Sequence, residues 1–133
     1  MKISVIGAGA FGTAMAAVAA RYGNEVMLGA HDPKVSDAVQ RTKTNPSYLR
    51  DVVLGDSVRS TSELGEAARF RDAIFMVTPS HHYRRVLSEL ATHIGRPVSV
   101  ITGTKGIENE TLERMSEVTT ACLGPKLRRF ATL

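Results

Sequence analysis

The chain has 133 residues, 43% of them hydrophobic and 23% charged, with a formal net charge of +4; this is enough for one globular domain with its own core. The positive balance does not make a nucleic-acid module, because the densest basic cluster is only Lys126, Arg128 and Arg129 and no aromatic platform interleaves with it. The single cysteine, Cys122, excludes an internal disulfide and suits a reducing cytoplasm, and no apolar stretch is long enough to span a bilayer.

Lys2 to Ile6 is a short β-rich run that ends at Gly7 and reads as a buried parallel strand. From Phe11 to Arg21 the composition turns to Ala, Met and Val, which is helix material. Gly23-Asn24 is a turn signal, and Glu25 to Gly29 reads as a second strand. Strand, helix and strand within about thirty residues make one βαβ unit. Pro33 to Arg41 predicts a second helix, with Asp32 as N-cap and Pro33 at the first helical position. Asn45-Pro46 breaks it, and 45–59 reads as an ordered loop with short extended pieces. Ser62 to Ala68 reads as a short helix capped by Thr61 or Ser62. Ala73 to Val77 is a strong strand, and Val86, Leu87, Leu90 and Ile94 form a helical stripe across Tyr83 to Ile94. Pro97 to Thr102 is a further strand. Thr111 to Cys122 has a helical pattern on Leu112, Met115 and Val118, and Arg129 to Leu133 begins another strand. Cys122 reads as a small packed hydrophobe, since no histidine lies near it in the chain. Alternating strands and helices predict a mostly parallel sheet covered on both faces.

The run Gly7-Ala8-Gly9-Ala10-Phe11-Gly12 fits G-x-G-x-x-G. It follows a strand, opens a helix and lies inside a βαβ unit, which is the context of a dinucleotide-binding, Rossmann-type doubly wound fold. Gly7 allows the tight turn, Gly9 lets a pyrophosphate approach the backbone, and Gly12 lets helix and sheet pack closely. The free N–H groups at the helix start attract the phosphates. The end of the second strand bears on the cofactor. An acid about twenty positions past the loop favours NAD through the ribose hydroxyls. Asp32 stands there, but it serves equally as the helix cap; His31 and Lys34 beside it tolerate the 2′-phosphate of NADP. NAD and NADP both remain open. His81 and His82 are expected to start a helix and line the nicotinamide side of the cleft. Neither is spaced to a cysteine or carboxylate as a metal ligand would be, so no metal is expected.

Four segments carry a more specific resemblance: Met1 to Ala14, Asn45-Pro46-Ser47-Tyr48-Leu49, Val77-Thr78-Pro79-Ser80 and Thr104-Lys105-Gly106-Ile107. On these the chain resembles the N-terminal domain of the bacterial NAD(P)-dependent glycerol-3-phosphate dehydrogenases. The resemblance implies that residues 1–133 form the dinucleotide-binding domain and that the chain stops before a helical substrate domain holding a second, proton-transferring lysine. It implies hydride transfer between sn-glycerol 3-phosphate and dihydroxyacetone phosphate, in the cytoplasm, supplying glycerophospholipid precursor, with a possible homodimer in the full-length enzyme. It places the cofactor phosphates at Ala10 and Phe11, the adenosine end at His31, and both cofactor and substrate at Lys105, the catalytic residue of this half. Family members often carry serine or asparagine at Ala10, tryptophan at Phe11 and arginine at His31; contacts through backbone N–H survive the first two changes. The fragment alone is expected to bind cofactor without turnover. The rival reading is a stand-alone NAD(H)-binding sensor without catalysis, and Lys105 argues against it because a sensor needs no substrate lysine.

Overall fold

A computed structural model describes all of residues 1–133. In chain order the elements are β1 (Lys2–Ile6), α1 (Ala10–Arg21), β2 (Glu25–Gly29), α2 (Pro33–Thr42), β3 (Val58–Thr61), α3 (Leu64–Arg69), β4 (Ala73–Met76), α4 (Ser80–His93), β5 (Val98–Thr102), α5 (Met115–Leu123) and β6 (Leu127–Thr132), with a short 3-10 turn over Gly124–Lys126. The six strands form one sheet in the order β3-β2-β1-β4-β5-β6, and every neighbouring pair is parallel. This is the doubly wound, Rossmann-type order, which reverses direction between β1 and β4.

Alternation along the strands divides the core between the two faces. Val5, Val26, Leu28 and Phe75 pack with Ala16 of α1 and with Val35 and Val39 of α2. Their chain neighbours Ile6, Met27, Ile74 and Met76 pack on the other face with Tyr83, Leu87 and Leu90 of α4 and Val118 of α5. Side chains point alternately to the two sides of a strand, so a strand buried on both faces has no polar side. Ser4 is the exception in β1. It is fully buried, and its hydroxyl shares its single hydrogen between the carbonyls of Ala67 (2.6 Å) and Phe70 (2.7 Å), which ties α3 to the sheet. Tyr83, also fully buried, hydrogen-bonds Thr119 at 2.9 Å and so joins α4 to α5.

The expected elements recur with three differences. The stretch read as a loop over 45–59 runs into a strand, β3, whose four residues Val58-Arg59-Ser60-Thr61 are too few to show a period. The short helix begins at Leu64 rather than Ser62; Thr61 Oγ1 accepts from Glu63 N (3.0 Å) just before it, and no side chain caps the helix itself. The helix expected from Thr111 begins at Met115. Leu112 there has a left-handed backbone (φ 59°), which no helix interior accommodates, and Ile107 bridges Arg114 across the resulting loop.

An ion-pair group holds that loop to α4. Arg84 donates to Glu108 through Nε and Nη2, each at 2.7 Å, and to Glu113. Hydrogen bonds from Arg84 first, and from Thr111 second, hold the Glu108 carboxyl down to about 2. A lowered folded pKa means that the contribution is complete above the ordinary carboxylate range and fades as pH falls towards the folded value. Acidification from about pH 4.5 towards about 2 is therefore expected to loosen the segment 104–114, seen as faster amide exchange there. In Glu108→Gln the segment should already be loose at neutral pH and show little further acid dependence; an unchanged acid profile would mean that the pair does not hold the loop.

Candidate functional site

The glycine loop crosses from β1 to α1 at the carboxyl edge of the sheet, beside the point where strand order reverses. Two of its glycines are dictated by close backbone approach. Gly7 has φ 120°, and a Cβ there would stand 2.9 Å from the carbonyl oxygen of Val77, just past β4. A Cβ on Gly12 would fall 1.8 Å from the carbonyl oxygen of Gly7, closer than any contact allows. Gly9 differs, because a Cβ there would meet no protein atom within 4 Å. The protein leaves that space open.

Gly9 is also the N-cap of α1, and it makes no side-chain cap. The N–H groups of Ala10, Phe11 and Gly12 have no acceptor in the chain, and neither does that of Gly9. Four donors and the positive end of a 12-residue helix are thus left unmatched at one edge of the sheet. At the start of α2 the same problem is solved locally: Asp32 Oδ1 accepts from Lys34 N at 2.9 Å. The carboxylate that sequence spacing offers to a ribose is therefore also the predicted helix cap.

A cavity of about 470 Å³ opens beside the loop, and Gly7, Gly9, His31, Tyr48, Thr78 and His82 are among the residues on its wall. The Thr78 hydroxyl is buried and has no partner. His81 and His82 lie in the first turn of α4, with ring centroids 4.0 Å apart. His82 lines the cavity together with His31 and Asp32, at the β2 end of the sheet. The same cavity is lined by Val77, Thr78 and Pro79 from the β4 end, and His81 and His82 stand in the first turn of α4, as expected of a helix start. Loss of hydration, followed by the charges of His81, Arg85 and His31, holds the His82 imidazole below the ordinary histidine range.

Phe11 is half exposed and leans across the sheet edge. Its ring lies 6.2 Å from that of Phe75, and a Cβ on Gly103 would meet it at 2.6 Å. Lys105 follows β5 on the same edge but does not line the cavity; its Nζ donates to the Leu133 carbonyl at 2.8 Å. The base of its loop is tied to β4, since Thr104 Oγ1 donates to the Thr78 carbonyl at 2.7 Å. So Gly7, Gly9 and His31 meet at one cavity, Ala10, Phe11 and Gly12 form the helix start beneath it, and Lys105 stands apart at the β5 end.

Sequence reasoning assigned no role to Asn45. The structure buries it completely and spends both amide hydrogens on the glycine-loop region: Nδ2 donates to the Ala8 carbonyl at 2.9 Å and to Thr13 Oγ1 at 2.8 Å. A trans peptide points its C=O and N–H in opposite directions. Holding the Ala8 carbonyl towards Asn45 therefore turns the Gly9 N–H away from it. The Asn45 carbonyl accepts from Tyr48 N (3.3 Å) and Leu49 N (2.8 Å), closing the turn that brings Tyr48 to the cavity. The sequence signals were the Asn-Pro pair, which announces a turn, and the resemblance of Asn45 to Leu49 to a family motif, and neither announces a buried clamp. Asn45→Leu, similar in volume but without donors, should lower unfolding free energy by about 1–3 kcal/mol and speed amide exchange over Gly7–Gly12. Unchanged exchange would show that the loop keeps its shape without the clamp.

Comparison with known proteins agrees with this geometry. The family described as "NAD-dependent glycerol-3-phosphate dehydrogenase N-terminus" matches residues 2–133. A glycerol-3-phosphate dehydrogenase [NAD(P)+] of an Exiguobacterium species is 39% identical over 128 residues, 96% of this chain and 38% of its own length. The enzyme of the same name from Myxococcus xanthus is 39% identical over 92% of this chain and 37% of its own length. The crystal structure of glycerol-3-phosphate dehydrogenase from Coxiella burnetii superposes with a TM-score of 0.88 at 27% identity, covering 98% of this chain and 39% of that one. A ketopantoate reductase from Ralstonia eutropha, at 22% identity and a TM-score of 0.74, shares the fold. The chain thus spans under two-fifths of the length of the curated relatives it matches, at 38% and 37%. Within that span its glycine loop, its strand order and the family match agree: the chain belongs to the NAD-dependent glycerol-3-phosphate dehydrogenase N-terminal family.

Proposed function

We propose that this chain is the dinucleotide-binding domain of an sn-glycerol-3-phosphate dehydrogenase using NAD or NADP. The observation that carries the reading is the uncapped start of α1. The N–H groups of Gly9, Ala10, Phe11 and Gly12 have no acceptor, and the space over Gly9 is open. A glycine turn with no ligand to bind would be stabler with a serine or aspartate cap, by about a few tenths of a kcal/mol over glycine. A dinucleotide pyrophosphate fits these groups in charge and in hydrogen bonding: it offers acceptors to these donors and negative charge to the helix start. The Thr78 hydroxyl, buried without a partner in the cavity wall, is a further donor that a ligand could engage.

When bound, the nicotinamide ring gives or takes the hydride. The chain's own contribution is placement and charge. Gly7 and Gly12 bring the helix start to the sheet edge, while Ala10 and Phe11 offer backbone donors. His31 stands at the β2 end of the cavity, where the adenosine half would lie. Lys105 follows β5 at the carboxyl edge, where open α/β sheets receive their ligands. Its ammonium, held in this structure only by one carbonyl, is available to polarise the ketone oxygen of dihydroxyacetone phosphate or to bind the substrate phosphate. The resemblance supports the substrate; the lysine's position on this edge supports the role. The free cysteine and the lack of any helix long and apolar enough to cross a membrane support a cytoplasmic setting, and the resemblance supports a part in glycerophospholipid precursor supply and a homodimeric full-length enzyme.

Titration calorimetry of the chain with NADH and NADPH is expected to show binding of at least one; heat from neither would end the dinucleotide reading. In a longer protein that carries this chain and reduces dihydroxyacetone phosphate, Lys105→Ala should cut turnover by roughly a hundredfold or more while weakening NADH only severalfold. A fully active variant would remove Lys105 from the site, and the sensor reading would regain ground.

A further inference from the structure

The cationic groups at the β2 end of the cavity are arranged in a way that bears on cofactor choice. A second cavity, of about 270 Å³, adjoins the first, and His31 and Arg85 stand on the walls of both. Arg85 lies one turn into α4, directly after the Arg84 that is committed to Glu108 and Glu113. Arg85 itself has no ion-pair partner and is exposed. Such a guanidinium, facing a cavity and unspent on the fold, is free for a ligand.

The first cavity offers an anion this unpaired guanidinium and little competing negative charge. Ala30, at the tip of β2, is 4% exposed and offers no carboxylate to a ribose diol. The next acid, Asp32, has Oδ1 engaged with Lys34 N as the cap of α2. Against that single acid the first cavity sets the Arg85 guanidinium, with the His31 and His82 imidazoles beside it as hydrogen-bonding groups. Glu63 and Glu89, the latter one turn of α4 beyond Arg85, line only the second cavity, so the first is free of both. A ribose with free 2′ and 3′ hydroxyls is held best by a carboxylate at the strand tip; a 2′-phosphate is held best by cations.

We propose that Arg85 is a specificity-determining residue of the dinucleotide site: together with His31, which lines the same two cavities, its guanidinium takes the 2′-phosphate of the adenosine half, so the chain prefers NADPH to NADH. The proposal rests on the dinucleotide reading above and adds to it a choice between cofactors and a residue that makes it. Since Arg85 is exposed and unpaired, Arg85→Gln is not expected to disturb the fold.

The test is the ratio of dissociation constants for NADPH and NADH, measured by calorimetry on the chain and on its Arg85→Gln variant. The chain should bind NADPH roughly tenfold more tightly than NADH, and the variant should lose most of that preference. Equal affinity for the two cofactors in the unmodified chain would overturn the proposal while leaving the dinucleotide reading intact. So would an Arg85→Gln ratio that stays the same, including the case where both cofactors weaken together, which would assign Arg85 to a part they share. Binding of neither cofactor would overturn both.

Discussion

The contact between Gly7, Gly12 and Val77 is the constraint on which the site depends. It brings three backbone segments, the end of β1, the first turn of α1 and the end of β4, closer together than any side chain would permit. The close approach sets the angle at which α1 leaves the sheet and therefore where its unmatched N–H groups point. It lies between β1 and β4, where the connections diverge to opposite faces and leave a crevice. The cavity is thus a consequence of sheet topology, and its chemical character is a consequence of two glycines.

Polar groups near that crevice fall into two sets. One set is spent on the fold: Asp32 caps α2, Arg84 holds Glu108 and Glu113, Thr104 ties its loop to Thr78, and Ser4 fastens α3. The other set has no internal partner: the α1 amides, the Thr78 hydroxyl and the Arg85 guanidinium. A buried hydroxyl without a partner is costly and marks where a fold has been shaped for something outside itself, while the exposed Arg85 guanidinium, hydrated and unpaired, can exchange water for a ligand. Lys105 stands between the sets. It makes one hydrogen bond to a carbonyl while exposed to solvent, a bond that can be exchanged at little cost.

Most of the fold was legible because its signals are local. The βαβ unit, the glycine loop and the Asp32-Pro33 helix start each lie within a few residues of one another and need no distant partner to be read. What escaped was decided at long range. β3 is a strand because β2 lies beside it, with Val26 paired to Val58, and its four residues carry no period of their own. The Leu112, Met115 and Val118 spacing does suggest a helix, yet pairing with Arg84 on α4 holds Glu108 and Glu113 in a loop. The site divides in the same way. Its glycines were readable from their spacing, whereas the cavity shared by His82 and His31 joins residues far apart in the chain, and the burial of Asn45 follows from packing.

The Asn45 clamp has a consequence for how the site is assembled. It joins residues 37 and 32 positions apart, to Ala8 and Thr13 respectively. Closing a chain segment of that length carries an entropic penalty that two hydrogen bonds do not offset alone. Packing of Val35 and Val39 from α2 against Val26 and Leu28 must supply the difference. A peptide ending at Gly29 would hold every glycine of the loop and neither bond of the clamp. The loop therefore acquires its working shape from the second crossover of the sheet. Its motif can be moved to another protein as six letters, but its geometry travels only with the helix and turn that follow β2.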